Sequence, residues 1–149
     1  MEDAAPQFEH FRRLERMYAS APINGYFAPV LRIPEAGVAE VRLTVRPDFH
    51  HAARAAHGAV YFKALDDATF FAVSSLVQEV FVLTVSFNLY LPRPIGEGEI
   101  LAVGHVVTRS RRLYVAEGLI TDNRGREIAR GSGAFLPSNT ALSEEIGYR

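Results

Sequence analysis

The sequence predicts an α+β fold in which one long central helix is wrapped by an antiparallel β-sheet. Three observations carry this. The segment from Gly58 to about Gln78 is apolar on nearly every side of a helix, which marks a buried one. At that length it exceeds an ordinary strand of ~3–10 residues. Everything after it reads as strands joined by short connections, the pattern of an antiparallel meander.

The chain opens with a helix over about 7–19, in which Phe8, Phe11, Leu14 and Tyr18 fall on one stripe. Ala21-Pro22-Ile23-Asn24-Gly25 reads as the turn that ends it. A short strand is expected around Tyr26–Ile33. Val38–Arg46 alternates Ala39, Val41, Leu43 and Val45 against Glu40, Arg42, Thr44 and Arg46, as a half-buried strand does. A loop with His50, His51 and Arg54 leads into the long helix. Strands are then expected over Val80–Leu91, Glu99–Thr108, Leu113–Thr121 and Arg126–Leu136, with Asp122-Asn123-Arg124-Gly125 as a hairpin turn. Residues 137–149 read as a polar, frayed tail. A single domain covers 1–149, with its core over about 26–136.

The chain of 149 residues carries 16 basic and 17 acidic side chains, a net charge of −1. That balance excludes a strong non-specific nucleic-acid binder. Cysteine is absent, which excludes disulfides, thiolate metal sites and a cysteine nucleophile. No apolar run reaches the ~18–20 residues of a membrane span, and the charged start is unlike a signal peptide, so a cytoplasmic location is expected. His50, His51 and His57 lack metal-site spacing, and no metal or cofactor is expected. No phosphate-binding glycine loop follows a strand.

Chemistry concentrates in the buried helix. Asp66 and Asp67 are adjacent carboxylates where an unpaired charge is costly. Lys63 stands four residues before Asp67, within reach of an intrahelical pair. Asp66 shares its neighbourhood with Ala59, Phe62, Thr69, Phe70 and Val73, and a carboxylate held among such groups is a candidate general base or nucleophile. Gly58 stands at the helix N-terminus, where free backbone N–H groups can stabilise an oxyanion. Arg109, Arg111 and Arg112 fall within four positions at a strand junction, and arginine binds phosphate bidentately.

The stretch His57-Gly58-Ala59-Val60-Tyr61-Phe62-Lys63-Ala64-Leu65-Asp66 resembles the His-Gly-Gly-x(6)-Asp segment of hotdog-fold thioesterases, and within them the PaaI-like branch. Thr84-Val85-Ser86-Phe87-Asn88-Leu89-Tyr90-Leu91-Pro92-Arg93-Pro94 looks like that family's strand after the helix, and Gly96-Glu97-Gly98-Glu99 like the entry to the next. Arg124-Gly125-Arg126-Glu127-Ile128-Ala129-Arg130-Gly131 is similar to its closing hairpin and last strand. The resemblance covers about 38–136. His51 stands where the family usually has Asn, Arg54 where Gly is common, and Ala59 for the second glycine.

The resemblance implies hydrolysis of an acyl-CoA thioester at the interface of a homodimer, often within a homotetramer. It assigns Asp66 as base or nucleophile, Gly58 as the donor that polarises the carbonyl, and Thr84 as the assisting hydroxyl, with His57 and His51 beside them. Substrate contacts are expected from Arg54, Phe62, Asn88 and the Arg109, Arg111, Arg112 cluster, and Tyr61, Phe62, Phe70 and Phe71 are aromatic candidates for an acyl tunnel. The partners expected are acyl-CoA and further copies of the chain. The alternative is a catalytically weak hotdog protein that binds acyl thioesters as sensor or carrier. A hotdog dehydratase is disfavoured, because no Asp-x(4)-His pair is present.

Overall fold

A computed structural model describes residues 4–149. In chain order it contains α1 (Ala4–Ser20), α2 (Pro22–Phe27), β1 (Val30–Glu35), β2 (Val38–Val45), α3 (Gly58–Ser74), β3 (Val80–Tyr90), β4 (Gly98–Ser110), β5 (Leu113–Thr121) and β6 (Glu127–Ala141). Single 3₁₀ turns cover Pro47–Phe49 and Glu144–Ile146. All six strands form one antiparallel sheet in the order β1-β2-β4-β5-β6-β3, and α3 packs across it. The expected sheet-wrapped helix is present.

The helix lies unusually near the sheet. Its sheet-facing stripe is Ala64, Ala68 and Ala72, all fully buried, and the strands answer with glycine. A Cβ on Gly104 of β4 would stand 2.5 Å from the Ala68 backbone, and one on Gly118 of β5 would stand 2.9 Å from Leu65. Only glycine fits so close a backbone approach. Leu43, Ile100, Ile120 and Phe135 fill the space around this contact.

Four expectations are corrected. The turn at 21–25 is a short helix: Pro22 presets the first helical φ, Ala28 closes it in a left-handed conformation, and β1 starts only at Val30. The long helix ends at Ser74 rather than about 78, where Ser74 Oγ donates to the Phe70 carbonyl and Ser75 Oγ to that of Ala72. The late strands are a meander only over β4-β5-β6. β4 lies between β2 and β5, so β3 pairs with the open edge of β6 instead, in a register that runs from Val80 opposite Ala141 to Tyr90 opposite Arg130. That long register also draws residues 137–141 into β6, so the tail is not frayed. Beyond it, the Tyr148 hydroxyl donates to His10 Nδ1 at 2.7 Å, while His10 Nε2 donates to the Ser74 carbonyl at 2.9 Å. On α1 the buried stripe is His10, Phe11, Leu14, Met17 and Tyr18, with Phe8 left exposed.

Candidate active site

Asp66 and Asp67 stand midway along α3, where it faces α1 on one side and β3 on the other. They do not share partners. Thr84 Oγ1 on β3 donates to Asp66 Oδ1 at 2.8 Å. Asp67 Oδ2 takes the Lys63 ammonium at 2.6 Å and the Tyr18 hydroxyl at 2.5 Å. Lys63 in turn lies over the rings of Tyr18 and Phe27, 5.1 and 5.6 Å from their centroids. Lys63 thus satisfies Asp67, as the four-residue spacing implies, and Asp66 is left without a cation in contact.

The two acids titrate accordingly. Burial is the main cause that pushes the Asp66 carboxyl up to about 6; the Thr84 hydrogen bond opposes it, the Asp67 charge adds to it and Lys63 opposes it. Burial also raises Asp67, against the pull of Lys63 and Tyr18. Burial, with the Asp67 carboxylate, holds the Tyr18 phenol far above its usual range, so its proton stays in place.

A cavity of about 260 Å³ opens onto Asp66. Phe70 and Phe71 of α3 and Phe81 of β3 form one wall, and Met17 of α1, Ile23 of α2 and Ile146 form another. Asn24 also lines it; its amide nitrogen donates to the Tyr18 carbonyl at 2.7 Å. Thr84→Val keeps this shape but removes the donor to Asp66. The loss of one hydrogen bond to a carboxylate is expected to move the acid limb of any Asp66-dependent rate upward by about one pH unit. An unmoved limb means that Asp66 does not set it.

Gly58 lies about 12 Å from Asp66 along α3, eight residues at the usual rise. It opens the helix, so its N–H has no intrahelical acceptor. His57 is the cap: its Nδ1 accepts the Ala59 N–H at 2.9 Å. A hollow of about 220 Å³ beside Gly58 is lined by His51, Tyr61, Leu91 and Arg93. His51 Nδ1 accepts the Ala53 N–H at 3.0 Å, which bends the preceding loop. Arg54 sits in that loop with φ +64° and forms no ion pair among the described residues.

The other expected site residues are dispersed. Phe62 is 41% exposed and packs edge-on against Phe87, outside the cavity. Tyr61 lines the Gly58 hollow instead. Asn88 is on the sheet face away from α3, in a hollow with His105, Glu117 and Arg130. Arg109, Arg111 and Arg112 form the β4–β5 turn; Arg109 lies 5.0 Å over the Tyr114 ring and Arg112 donates to the Pro137 carbonyl. The cavity residues of α1 and α2 are not among the expected ones. Their signal is Tyr18, a polar tip on an otherwise apolar stripe, facing a second acid that needs a donor.

Among the described residues no helix is long and apolar enough to cross a membrane, and no cluster of metal-ligating side chains is present. The family model of the thioesterase superfamily matches residues 54–129, just over half of the chain. No curated protein matches. Among solved structures, the PaaI protein of the Escherichia coli phenylacetic acid degradation operon superposes with TM-score 0.82 at 17% identity, covering 92% of this chain and 99% of its own. A thioesterase from Haemophilus influenzae gives 0.75 at 15%, covering 83% and 87%. A phenylacetic acid degradation-related protein from Ralstonia eutropha gives 0.75 at 22%, covering 85% and 98%. At these identities the likeness shows the fold, which is the hotdog arrangement.

Proposed function

The chain belongs to the thioesterase superfamily, and from that premise we propose that it hydrolyses acyl-CoA thioesters with Asp66 as the acting carboxylate. The observation that carries this is the contrast between the two acids. Both line the same largely apolar cavity, but Asp67 is neutralised by Lys63 and Tyr18, whereas Asp66 has one hydroxyl donor and no cation in contact. A carboxylate so placed is ionised near neutral pH yet basic enough to take a proton from water.

The acyl group occupies the cavity between α3, β3 and the α1–α2 arm. Ionised Asp66 either takes a proton from a water that attacks the thioester carbon, or attacks that carbon itself to give a mixed anhydride that water opens. In both routes the C–S bond breaks, the thiol leaves with a proton and the acid remains. The carbonyl oxygen gains charge on the way, and a backbone N–H at a helix start suits it. His57 serves as the cap that fixes that N–H, and His51 lines the approach.

Gly58 and Asp66 of one chain are too far apart along α3 to act on one carbonyl, whose donors and nucleophile both need to come within ~3 Å. A second copy, with its α3 reversed beside the first, places one chain's Gly58 against the other's Asp66. β3 supports such pairing. It is an 11-residue edge strand with Leu83 and Val85 52% and 56% exposed, a template for another chain. A dimeric or tetrameric mass is expected by light scattering at micromolar concentration, and a monomer there overturns the shared site.

Purified protein presented with a panel of acyl-CoAs is expected to release free thiol. Binding without release would make it a sensor or carrier. Asp67→Asn is expected to cost far less rate than removal of the Asp66 charge; equal losses mean that the two acids act as one coupled unit.

A further inference from the structure

A second concavity, of about 630 Å³, lies between the loop that joins β3 to β4 and the hairpin that joins β5 to β6. Its charged side chains are Arg93 and Glu97 from the loop and Asp122, Arg124 and Arg126 from the hairpin. Asp122 is turned inward. It accepts the backbone N–H groups of Arg126 and Arg124 at 3.0 and 2.9 Å, and Arg126 Nε at 2.8 Å. Those bonds, the Arg126 backbone N–H foremost, hold its carboxyl below the usual carboxylate range. Its charge is therefore matched by Arg126 and its oxygens are occupied. Arg93 and Arg124 form no ion pair among the described residues, and Glu97 is the one acid left against them. The cleft carries a cationic surplus in a concave setting, with arginines contributed by both the loop and the hairpin.

Its place in the fold matters as much as its charge. Arg93 and Pro94 line both this cleft and the hollow at Gly58, so the two adjoin across one stretch of loop. The wall between them is braced. The Tyr61 hydroxyl, from the first turns of α3, donates to the Arg93 carbonyl at 3.2 Å and accepts the Ile95 N–H at 3.1 Å. Leu91 and Arg93 line the hollow at Gly58 on the side of that loop, so a thioester carbonyl at Gly58 has the cleft next to it. The arginine turn at 109–112 lies at the opposite end of the sheet in the same chain. Arg112 bonds to Pro137, which pairs with Val82 near the start of β3, whereas Leu91 follows that strand's end.

We infer that the cleft between the β3–β4 loop and the β5–β6 hairpin seats the phosphates of the coenzyme A nucleotide, with Arg93 and Arg124 as the cations that grip them. The inference rests on the acyl-CoA reading above and names where that substrate's handle is held. Arginine suits the task because its fork gives two parallel N–H donors to one phosphate. The binding is solvent-exposed, so it is screened by salt.

The test is calorimetric titration with coenzyme A and with adenosine 3′,5′-bisphosphate, its nucleotide portion. Arg93→Ala/Arg124→Ala is expected to weaken both about tenfold or more, the loss of two exposed phosphate contacts, and to flatten their salt dependence. Arg111→Ala/Arg112→Ala is expected to stay within about twofold. Unaltered melting of each variant shows that the fold is intact. Unchanged affinity in Arg93→Ala/Arg124→Ala, a larger loss in Arg111→Ala/Arg112→Ala, or no binding of either ligand by the parent protein overturns the assignment. The readout is independent of turnover. If no acyl-CoA is hydrolysed but the nucleotide still binds through Arg93 and Arg124, the hydrolase reading fails and the phosphate seat stands. If acyl-CoA is hydrolysed and Arg93→Ala/Arg124→Ala binds as before, the seat fails alone.

Discussion

Asp66→Asn is expected to lower kcat on acyl-CoA by about 10²–10⁴ if the carboxylate is a base, and by more if it is the nucleophile. The amide keeps the shape and still accepts the Thr84 hydroxyl, so the fold is preserved. The same variant is expected to melt at a higher temperature than the parent above pH 6. In the folded chain the Asp66 carboxyl titrates at about 6, above its ordinary value of 3.8. Between those values the folded state holds a proton that the unfolded chain has released. Stability therefore falls as pH rises through that window, and the burden persists above it. Asparagine carries no such burden. The difference in melting temperature is expected to vanish toward pH 3. For the parent, the rate is expected to rise through pH 6 as the carboxylate forms. Retained activity in Asp66→Asn sinks the catalytic assignment, and equal melting at pH 8 sinks the account of its burial.

Gly104→Val is expected to be the most damaging change in the sheet. Even its Cβ would overlap the backbone of Ala68 at 2.5 Å, and a helix backbone has no rotamer with which to move aside. Overpacking commonly costs ~1–3 kcal/mol, and this site is expected at or beyond the upper end. For a chain of this size 3 kcal/mol corresponds to roughly a 10 °C fall in Tm, out of a total stability of ~5–15 kcal/mol. Gly25→Ala is the control: nothing lies within 4 Å of its added methyl group, and it sits inside α2, so melting is expected unchanged or slightly higher. Equal melting of both variants would falsify the tight seating of α3.

The sequence made the long helix legible because its apolar residues occupy every side, and β2 because its alternation is strict; in β3 a register shift between Thr84 and Ser86 leaves Leu83 and Val85 exposed while Thr84 meets Asp66. The acid pair was legible for the same reason: two aspartates stand out against Ala64, Leu65 and Ala68. Three things were hidden. The β3–β6 pairing follows from β4 lying between β2 and β5, a competition among distant strands that no local pattern records. The helix α2 hides in Pro22-Ile23-Asn24-Gly25, whose residue types equally suit a turn. The cavity wall joins Met17, Phe81 and Ile146, which are far apart in sequence and look like ordinary core. Asp67 had a visible partner in Lys63, but its second, Tyr18, lies 49 residues away.

The close seating of α3 on Gly104 and Gly118 also bears on how such a chain can change over generations. The helix that carries Asp66 has no slack toward the sheet, so substitutions that shift it are expected to cost stability before they alter the cavity. The α1–α2 arm, by contrast, reaches the cavity with side chains that carry no sheet contact of α3: it supplies Met17, Ile23 and Asn24 to the lining, and its Tyr18 meets Asp67 and Lys63. On the proposed reading, substitutions at Ile23 and Asn24 are therefore expected to alter the choice of acyl group while Asp66 keeps its Thr84 contact.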